Sequence, residues 1–525
     1  MSVGDLRLSG TPGMAHPAVL DRRVREFLRI GVGALVAAML ALGIILAMPN
    51  ASVADGVLVL GAIAAVVGIV ALILSSRYEI TVTIVALYLV LLDGPVKLGF
   101  EGGELAHGIR NVLILAVCLG AVLRLLVRRE EVRLPPLSGW VLTFVAVVVL
   151  EAFNPRTEGI LKVLGGFRQE LEWVPFFFFG FILMRSKKRL RQFCMVVGVC
   201  ALANGVVATY QTGLSPASLA TWGPGYRQLF QPTSVGDKAA RARTYGAEGE
   251  ARARPVGLGS DSGFSGGVGL VALPCCLALL ATWRSRRRWL AALLALGAIL
   301  GVATGLGRLQ VIGAGLGVVA FGVLSVVGGR RVSRPLASMV AVVVLAIPAG
   351  VFVASAVRSG TFQRYNSLTS QSPSSLASTK APQWTNIPKF LGRAPLGIGL
   401  GTVGPVGGFG GKTQEQGKGG TTAETQYNFL ADELGAPGLL VWIALIAYVC
   451  VVVVRGLRHV ADGDLAILLA GACAPFFALI VMGLSGPTMT SSALGPYFWF
   501  VIGIVAYWFG DRRRSPTPMP EVAAV

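Results

Sequence analysis

Two arginines stand where a charge is expensive to keep. Arg308 follows Gly305-Leu306-Gly307 in a tight turn between two apolar runs, and Arg168 follows Gly165-Gly166-Phe167 just ahead of an aromatic run. A guanidinium held at a bilayer boundary either snorkels to the headgroups or meets an anion, so both positions are site candidates. Further cations gather in two polar stretches. The first holds Arg227, Lys238, Arg241, Arg243, Arg252 and Arg254; the second holds Arg358, Arg364, Lys380, Lys389, Arg393, Lys412 and Lys418. Such sets suit phosphate or pyrophosphate at a membrane surface, and they equally suit anionic headgroups. Metal chemistry finds no framework. His16, His107 and His459 are scattered, and the seven cysteines fall in apolar runs, where they read as small packing residues. The Asp462-Gly463-Asp464 pair sits where a helix should begin and reads as its cap. No metal and no cofactor is expected.

The elements that must position these residues are membrane helices. Hydrophobic residues make up 54% of the 525, charged residues only 14%, and the mean hydropathy is +0.70. A soluble chain carries about a quarter charged residues. Apolar runs close to the ~20 residues that cross a bilayer recur along the whole chain. They lie near 28–48, 55–75, 80–92, 108–127, 138–153, 171–184, 192–212, 265–283, 289–306, 309–327, 336–356, 434–454, 464–484 and 491–510. The expected fold class is therefore all-α: a polytopic integral membrane protein with about 14 transmembrane helices (roughly 12–14, since some runs are short) and two long extracytoplasmic loops. A β-barrel is excluded because the runs show no period-2 alternation.

Charge sets the expected orientation. The clusters Arg22–Arg29, Arg124–Arg133, Arg185–Arg191, Arg284–Arg288, Arg330–Arg334, Arg455–Arg458 and Arg512–Arg514 all fall on one side when the runs are crossed in order. The positive-inside rule makes that side cytoplasmic and puts both termini there. The expected layout is a cytoplasmic tail 1–27, N-terminal helices 28–212, a first outer loop 213–264, and central helices 265–356. A large outer loop 357–428, C-terminal helices 429–510 and a cytoplasmic tail 511–525 complete it. The apolar stretch after Arg29 is too long for a cleavable signal core and reads as an anchor. Both outer loops hold too few apolar residues for a core of their own. Within the second, Trp384–Leu391 reads as a short amphipathic helix, followed by a glycine-rich stretch from Gly397 to Gly420. The net charge of +20 is largely this topology signal, so nucleic acid is not an expected partner.

One set of motifs is more specific. Lys380 precedes Trp384, and Pro395-Leu396-Gly397-Ile398-Gly399-Leu400-Gly401 follows about ten residues on; then come Glu424-Thr425-Gln426-Tyr427-Asn428 and Glu433-Leu434-Gly435-Ala436-Pro437-Gly438-Leu439. Upstream, Arg254-Pro255-Val256-Gly257 opens one apolar run and Gly307-Arg308 opens another. In order and spacing, residues 250–450 resemble the O-antigen ligase and O-antigen polymerase superfamily. Two positions depart from its pattern: Glu424 stands where the family has His, and Lys380 where it has Arg. Glu keeps a group able to act as base, whereas Lys keeps charge but loses the bidentate fork.

The resemblance implies a membrane glycosyltransferase, a ligase or polymerase of the bacterial cytoplasmic membrane. It would pass a saccharide from a polyprenyl-pyrophosphate-linked donor to a hydroxyl on a glycan, lipid or wall acceptor at the outer face, in contact with membrane lipid. On that reading Arg254, Arg308 and Lys380 bind pyrophosphate, with Arg364, Arg393 and Arg168 as lesser candidates; Glu424 is the base and Tyr427 lines the site. The competing reading is a polysaccharide or solute transporter. Carriers show internal repeats and polar groups at mid-membrane; no clear repeat is present here, and the polar residues concentrate in the loops.

Overall fold

In the computed structural model, the described residues are 83, 87, 89–99, 110, 113–114, 117–118, 134–230, 244–245, 252–328, 385–407 and 425–510. The expected spans near 28–48, 55–75 and 336–356, most of those near 80–92 and 108–127, both termini, and Arg364, Lys380 and Glu424 lie outside them. The chain forms two compact units. Residues 1–85 with 104–132 make the first, in which 83, 110, 113–114 and 117–118 are helical; 86–103 with 133–525 make the second, to which all that follows belongs.

The second unit is mostly helical, and six of its described helices are long and apolar enough to cross a membrane. They are Lys187–Thr212, Phe264–Thr282, Arg287–Thr304, Arg308–Val327, Gly435–Leu457 and Gly463–Met482. Two shorter apolar helices, Ser138–Glu151 and Gly495–Phe509, accompany them. The chain is a membrane protein on this ground. Helix ends run past the apolar windows where charges can cap them. Lys187–Thr212 starts five residues before its apolar run, because Ser186 accepts a hydrogen bond from the Arg189 amide at 3.2 Å. Asp462 caps Gly463–Met482 in the same way, accepting from the amides of Asp464 and Leu465. Near 171–184 the chain breaks instead into Ile160–Leu171 and Pro175–Leu183, with Pro175 opening the second helix.

Phe264–Thr282 is the hub, buried along most of its length. Small residues let its neighbours approach, the usual device where lipid is as apolar as Leu. A Cβ at Gly269 would meet Ala298 and Val302, and one at Gly471 would meet Ala278 and Pro274. Aromatic rings fill the adjoining core: Trp442 lies 5.2 Å from both Phe144 and Phe498, and Phe498 lies 4.8 Å from Phe476.

The contacts fix which helix ends lie together. Gly198 faces Leu294 and Gly205 faces Gly297 and Gly301, so Lys187–Thr212 and Arg287–Thr304 run parallel. Lys187 Nζ lies 2.7 Å from Asp462 and 3.4 Å from Asp464, Trp508 Nε1 donates to the Met184 carbonyl at 2.9 Å, and Gly456 abuts Phe509. The basic turns at 185–191, 284–288 and 455–458 thus share one end. The glycine-rich segments and Arg308 lie at the other.

Parts of the loop between Lys187–Thr212 and Phe264–Thr282 are ordered against the helices. Pro216–Ala220 and Pro224–Phe230 are helical, and Thr244–Tyr245 pairs antiparallel with Arg252–Ala253. Leu219, Tyr226, Leu229, Phe230, Ala253 and Val256 pack with Leu98 of the helix Asp93–Gly99. The described part of this loop shares its apolar core with a neighbouring helix.

Candidate functional site

The two glycine-bearing motifs dock onto each other. Gly397, Gly399 and Gly401 have φ of 95°, 96° and 66°, and Gly435 has φ of 61°, values that favour glycine. The turn they make leads Ile398 N to the Asp432 carbonyl at 2.8 Å and Ala436 N to the Pro395 carbonyl at 2.8 Å. A Cβ at Gly435 would run into the backbone of Pro395, Leu396 and Gly397; one at Gly401 would strike the backbone of Lys162. The glycines serve close backbone approach between segments distant in sequence.

A polar cluster sits under this junction. Glu433 Oε1 accepts from Val403 N at 2.9 Å, and the Gln169 side-chain amide donates to Glu433 Oε2 at 3.3 Å and to Glu170 Oε1 at 3.2 Å. Lys162 Nζ donates to the Gly407 carbonyl at 2.6 Å. Asn154 Nδ2 donates to the Gly397 carbonyl at 3.1 Å, and Thr157 Oγ1 accepts from Leu400 N at 3.2 Å. Lys162, Gln169, Glu170 and Glu433 are all buried. Burial pushes the Glu170 carboxyl up to about 7, against the pull of the Gln169 amide. Glu433 is pushed well above its ordinary value by burial first, then by the nearby Glu170; the Val403 and Thr402 amides pull the other way.

Arg393, at the end of the helical segment 385–393, pairs with the buried Asp432 at 3.1 Å. This helical stretch is where an amphipathic helix was expected, and Phe390 is its buried anchor. Arg168 lies in the last turn of Ile160–Leu171, half-buried and next to Gln169.

Arg308 opens Arg308–Val327 and is half-buried, and its Nε is buried with no hydrogen-bond partner among the described residues. Next to it, Leu309 packs on Gly486. The same 483–489 turn holds the start of Gln426–Glu433: Gln426 N donates to the Gly483 carbonyl at 3.2 Å, and Gln426 Oε1 accepts from Met489 N at 3.1 Å. Arg308 and the residues just after Glu424 are therefore neighbours through one turn. Tyr427 is buried, and its hydroxyl donates to the Ile480 carbonyl at 3.2 Å, so it packs beneath that turn.

Arg254 follows the strand Arg252–Ala253 into a clamp. Gln211 Oε1 accepts from Val256 N at 3.0 Å and Gly257 N at 2.8 Å, its Nε2 donates to the Gly257 carbonyl at 3.1 Å, and Asn204 Oδ1 accepts from Leu258 N at 3.0 Å. Beside the clamp lies an open apolar groove of about 570 Å³, lined by Pro95, Val206, Val207, Tyr210, Trp222 and Tyr226, among others. Replacing Gln211 by Ala leaves three buried backbone groups unpaired. Each costs on the order of 1–3 kcal/mol, so the expected loss is at least about 3 kcal/mol, read as a lowered Tm in detergent. An unchanged Tm removes the clamp.

The structure thus brings Arg393 to the docked motifs through Asp432, leaves Arg168 adjacent in the chain to Gln169, joins Arg308 to the start of Gln426–Glu433, and places Arg254 just ahead of the clamped residues. The sequence reading gave no role to Lys162, Gln169, Glu170, Glu433, Asn204 or Gln211. A signal was present for most of them. The buried positions 162, 165, 166, 169 and 170 follow helical spacing, so Ile160–Leu171 turns its polar face inward. Asn204 and Gln211, two turns apart, share one face of an apolar span. Compared with protein families, curated proteins and solved structures, the chain matches none.

Proposed function

We propose that the protein is a membrane glycosyltransferase of the O-antigen ligase or polymerase kind. It moves a saccharide from a polyprenyl pyrophosphate to an acceptor hydroxyl at the outer face of a bacterial cytoplasmic membrane, with both termini inside. The observation that carries this reading is the docking of the two motif segments on each other, Pro395–Gly401 against Glu433–Gly438. The two glycine-bearing segments of that motif set form one junction, which chance patterns of Gly and Pro would not be required to do.

The chemistry asks for little. The acceptor oxygen forms a bond to the donor's anomeric carbon, the bond from that carbon to pyrophosphate breaks, and the acceptor's proton goes to a base. Cations must hold the departing pyrophosphate. Arg308 supports that role, since its buried Nε has no hydrogen-bond partner among the described residues and lies at the N-terminus of a 20-residue helix, where the backbone also favours anions. Arg254 and Lys380 complete the proposed set. Glu424 is the proposed base, and the apolar groove beside Tyr210 offers a place for a lipid chain.

The test is reconstitution in liposomes with a polyprenyl-pyrophosphate-linked saccharide and a hydroxyl acceptor. New glycosidic bond and free polyprenyl pyrophosphate are expected to appear together, with and without EDTA, and Glu424→Gln is expected to abolish both while retaining donor binding. Movement of the donor or a free glycan across the bilayer with no bond formed would overturn the proposal in favour of a carrier.

A further inference from the structure

Gln169 donates both hydrogens of its side-chain amide to carboxylates, one to Glu170 and one to Glu433, at 3.2 and 3.3 Å. Two carboxyl groups on one amide nitrogen are near neighbours, and both are buried. Two negative charges held so close away from water repel strongly. The surrounding charges compensate for one of them only. Lys162 and the Val403 amide act on Glu433. The charge of Asp432 is taken by Arg393. Glu158 acts on Lys162, and Arg168 and Glu172 flank the pair on its own stretch of chain. Glu170 has the Gln169 amide as its one hydrogen-bond partner among the described residues.

From this geometry we infer that Glu170 and Glu433 form a proton-binding site, holding one proton between them at neutral pH, and that this proton latches the 395–407 loop to Ile160–Leu171 and Gln426–Glu433. Glu433 is the hinge of the latch, because the same carboxylate receives Val403 N from the loop and Gln169 from the helix. The proton belongs to the pair rather than to one residue. Both groups bind protons more tightly folded than unfolded. Stability is therefore greatest below the ordinary carboxylate range near 4.5, falls as pH rises through about 7, and falls further as the second group ionises. Ionisation by itself strengthens the Val403 N bond to Glu433. It also sets two carboxylates against each other, so Ile160–Leu171 and Gln426–Glu433 are pushed apart and the loop that bridges them loosens in alkali.

The inference stands apart from the transferase reading, and its test measures no transfer. Infrared spectra of the purified protein in lipid are expected to show a protonated-carboxyl band at neutral pH that is lost in alkali, and that Glu170→Gln reduces. A cysteine placed at Val403 reports the loop. Between about pH 7 and about pH 9 its labelling rate, corrected for thiolate fraction, is expected to rise about tenfold or more, the effect of one pKa unit of coupling. In the Glu170→Gln background the rise is expected to be clearly smaller, because Glu433 stays buried but loses its repelling neighbour and keeps Lys162 and the Val403 amide. Glu433→Gln serves as a second variant, expected to weaken the band and leave only the part that burial gives Glu170 by itself. A wild-type band unchanged by both substitutions, or the same pH-dependent labelling with and without Glu170, would overturn the inference.

Discussion

Arg308→Ala is expected to lower the proposed glycan transfer by a factor on the order of 10²–10³, the cost of removing one preorganised group from a developing anion. The fold should not notice. The side chain is half-buried, its Nε makes no hydrogen bond among the described residues, and Ala suits the first position of a helix. Tm and extraction yield are therefore expected to match the wild type while turnover collapses. Arg308→Lys should recover part of the rate, because a point charge replaces a planar fork. The decisive comparison is turnover and Tm on the same purified preparation. Full turnover in the Ala variant would mean that Arg308 only snorkels to headgroups, and the pyrophosphate assignment would fall.

Gly435→Val is expected to have the largest effect on folding. At φ 61° a β-branched side chain is strained by about 1–3 kcal/mol before any contact is counted. Its Cβ would also enter the backbone of Pro395, Leu396 and Gly397, which cannot rotate aside as a side-chain tip can. Relief requires separating the motifs. That breaks the Ala436 N–Pro395 O and Ile398 N–Asp432 O bonds and exposes the buried Glu433. The sum should reach about 4 kcal/mol or more, in the range reserved for named defects of this kind. Monodisperse protein on detergent size exclusion should be largely lost. Gly315→Ala is the control: outside its own helix backbone and chain neighbours, no atom of the described residues lies within 4 Å of its added Cβ, so its effect should be small. A Gly435→Val protein that elutes and melts like the wild type would show that the two motifs need not touch.

How far the site could be read from the chain depends on the residue. The described apolar runs appear as helices close to where composition put them, with ends shifted by caps such as Ser186 and Asp462. The glycine run 397–401 and Gly435 were visible as motifs, but not the reason for the glycines, which is that each motif supplies the obstacle for the other. Glu433 was visible as a motif letter and invisible as a buried charge. Lys162, Gln169 and Glu170 were hidden because an amphipathic helix is ordinarily read with its polar face outward, and Ile160–Leu171 packs that face beneath the loop. Arg393 was read as a lesser phosphate candidate, and its pairing with Asp432 is a contact that no spacing rule announces.

The sequence by itself determined the class of molecule, a helical membrane protein, and the existence of its basic clusters. A helix in hydrocarbon satisfies its backbone within one run of about 20 residues, so that decision is local and written in composition. Only the tertiary structure decided which end of which helix meets which loop, and that Gln169 would lie between two carboxyl groups. Gln169 and Glu433 are 264 positions apart. Their meeting depends on close approach across glycines in several separate segments, and on the desolvation that follows, neither of which exists until the helices have packed.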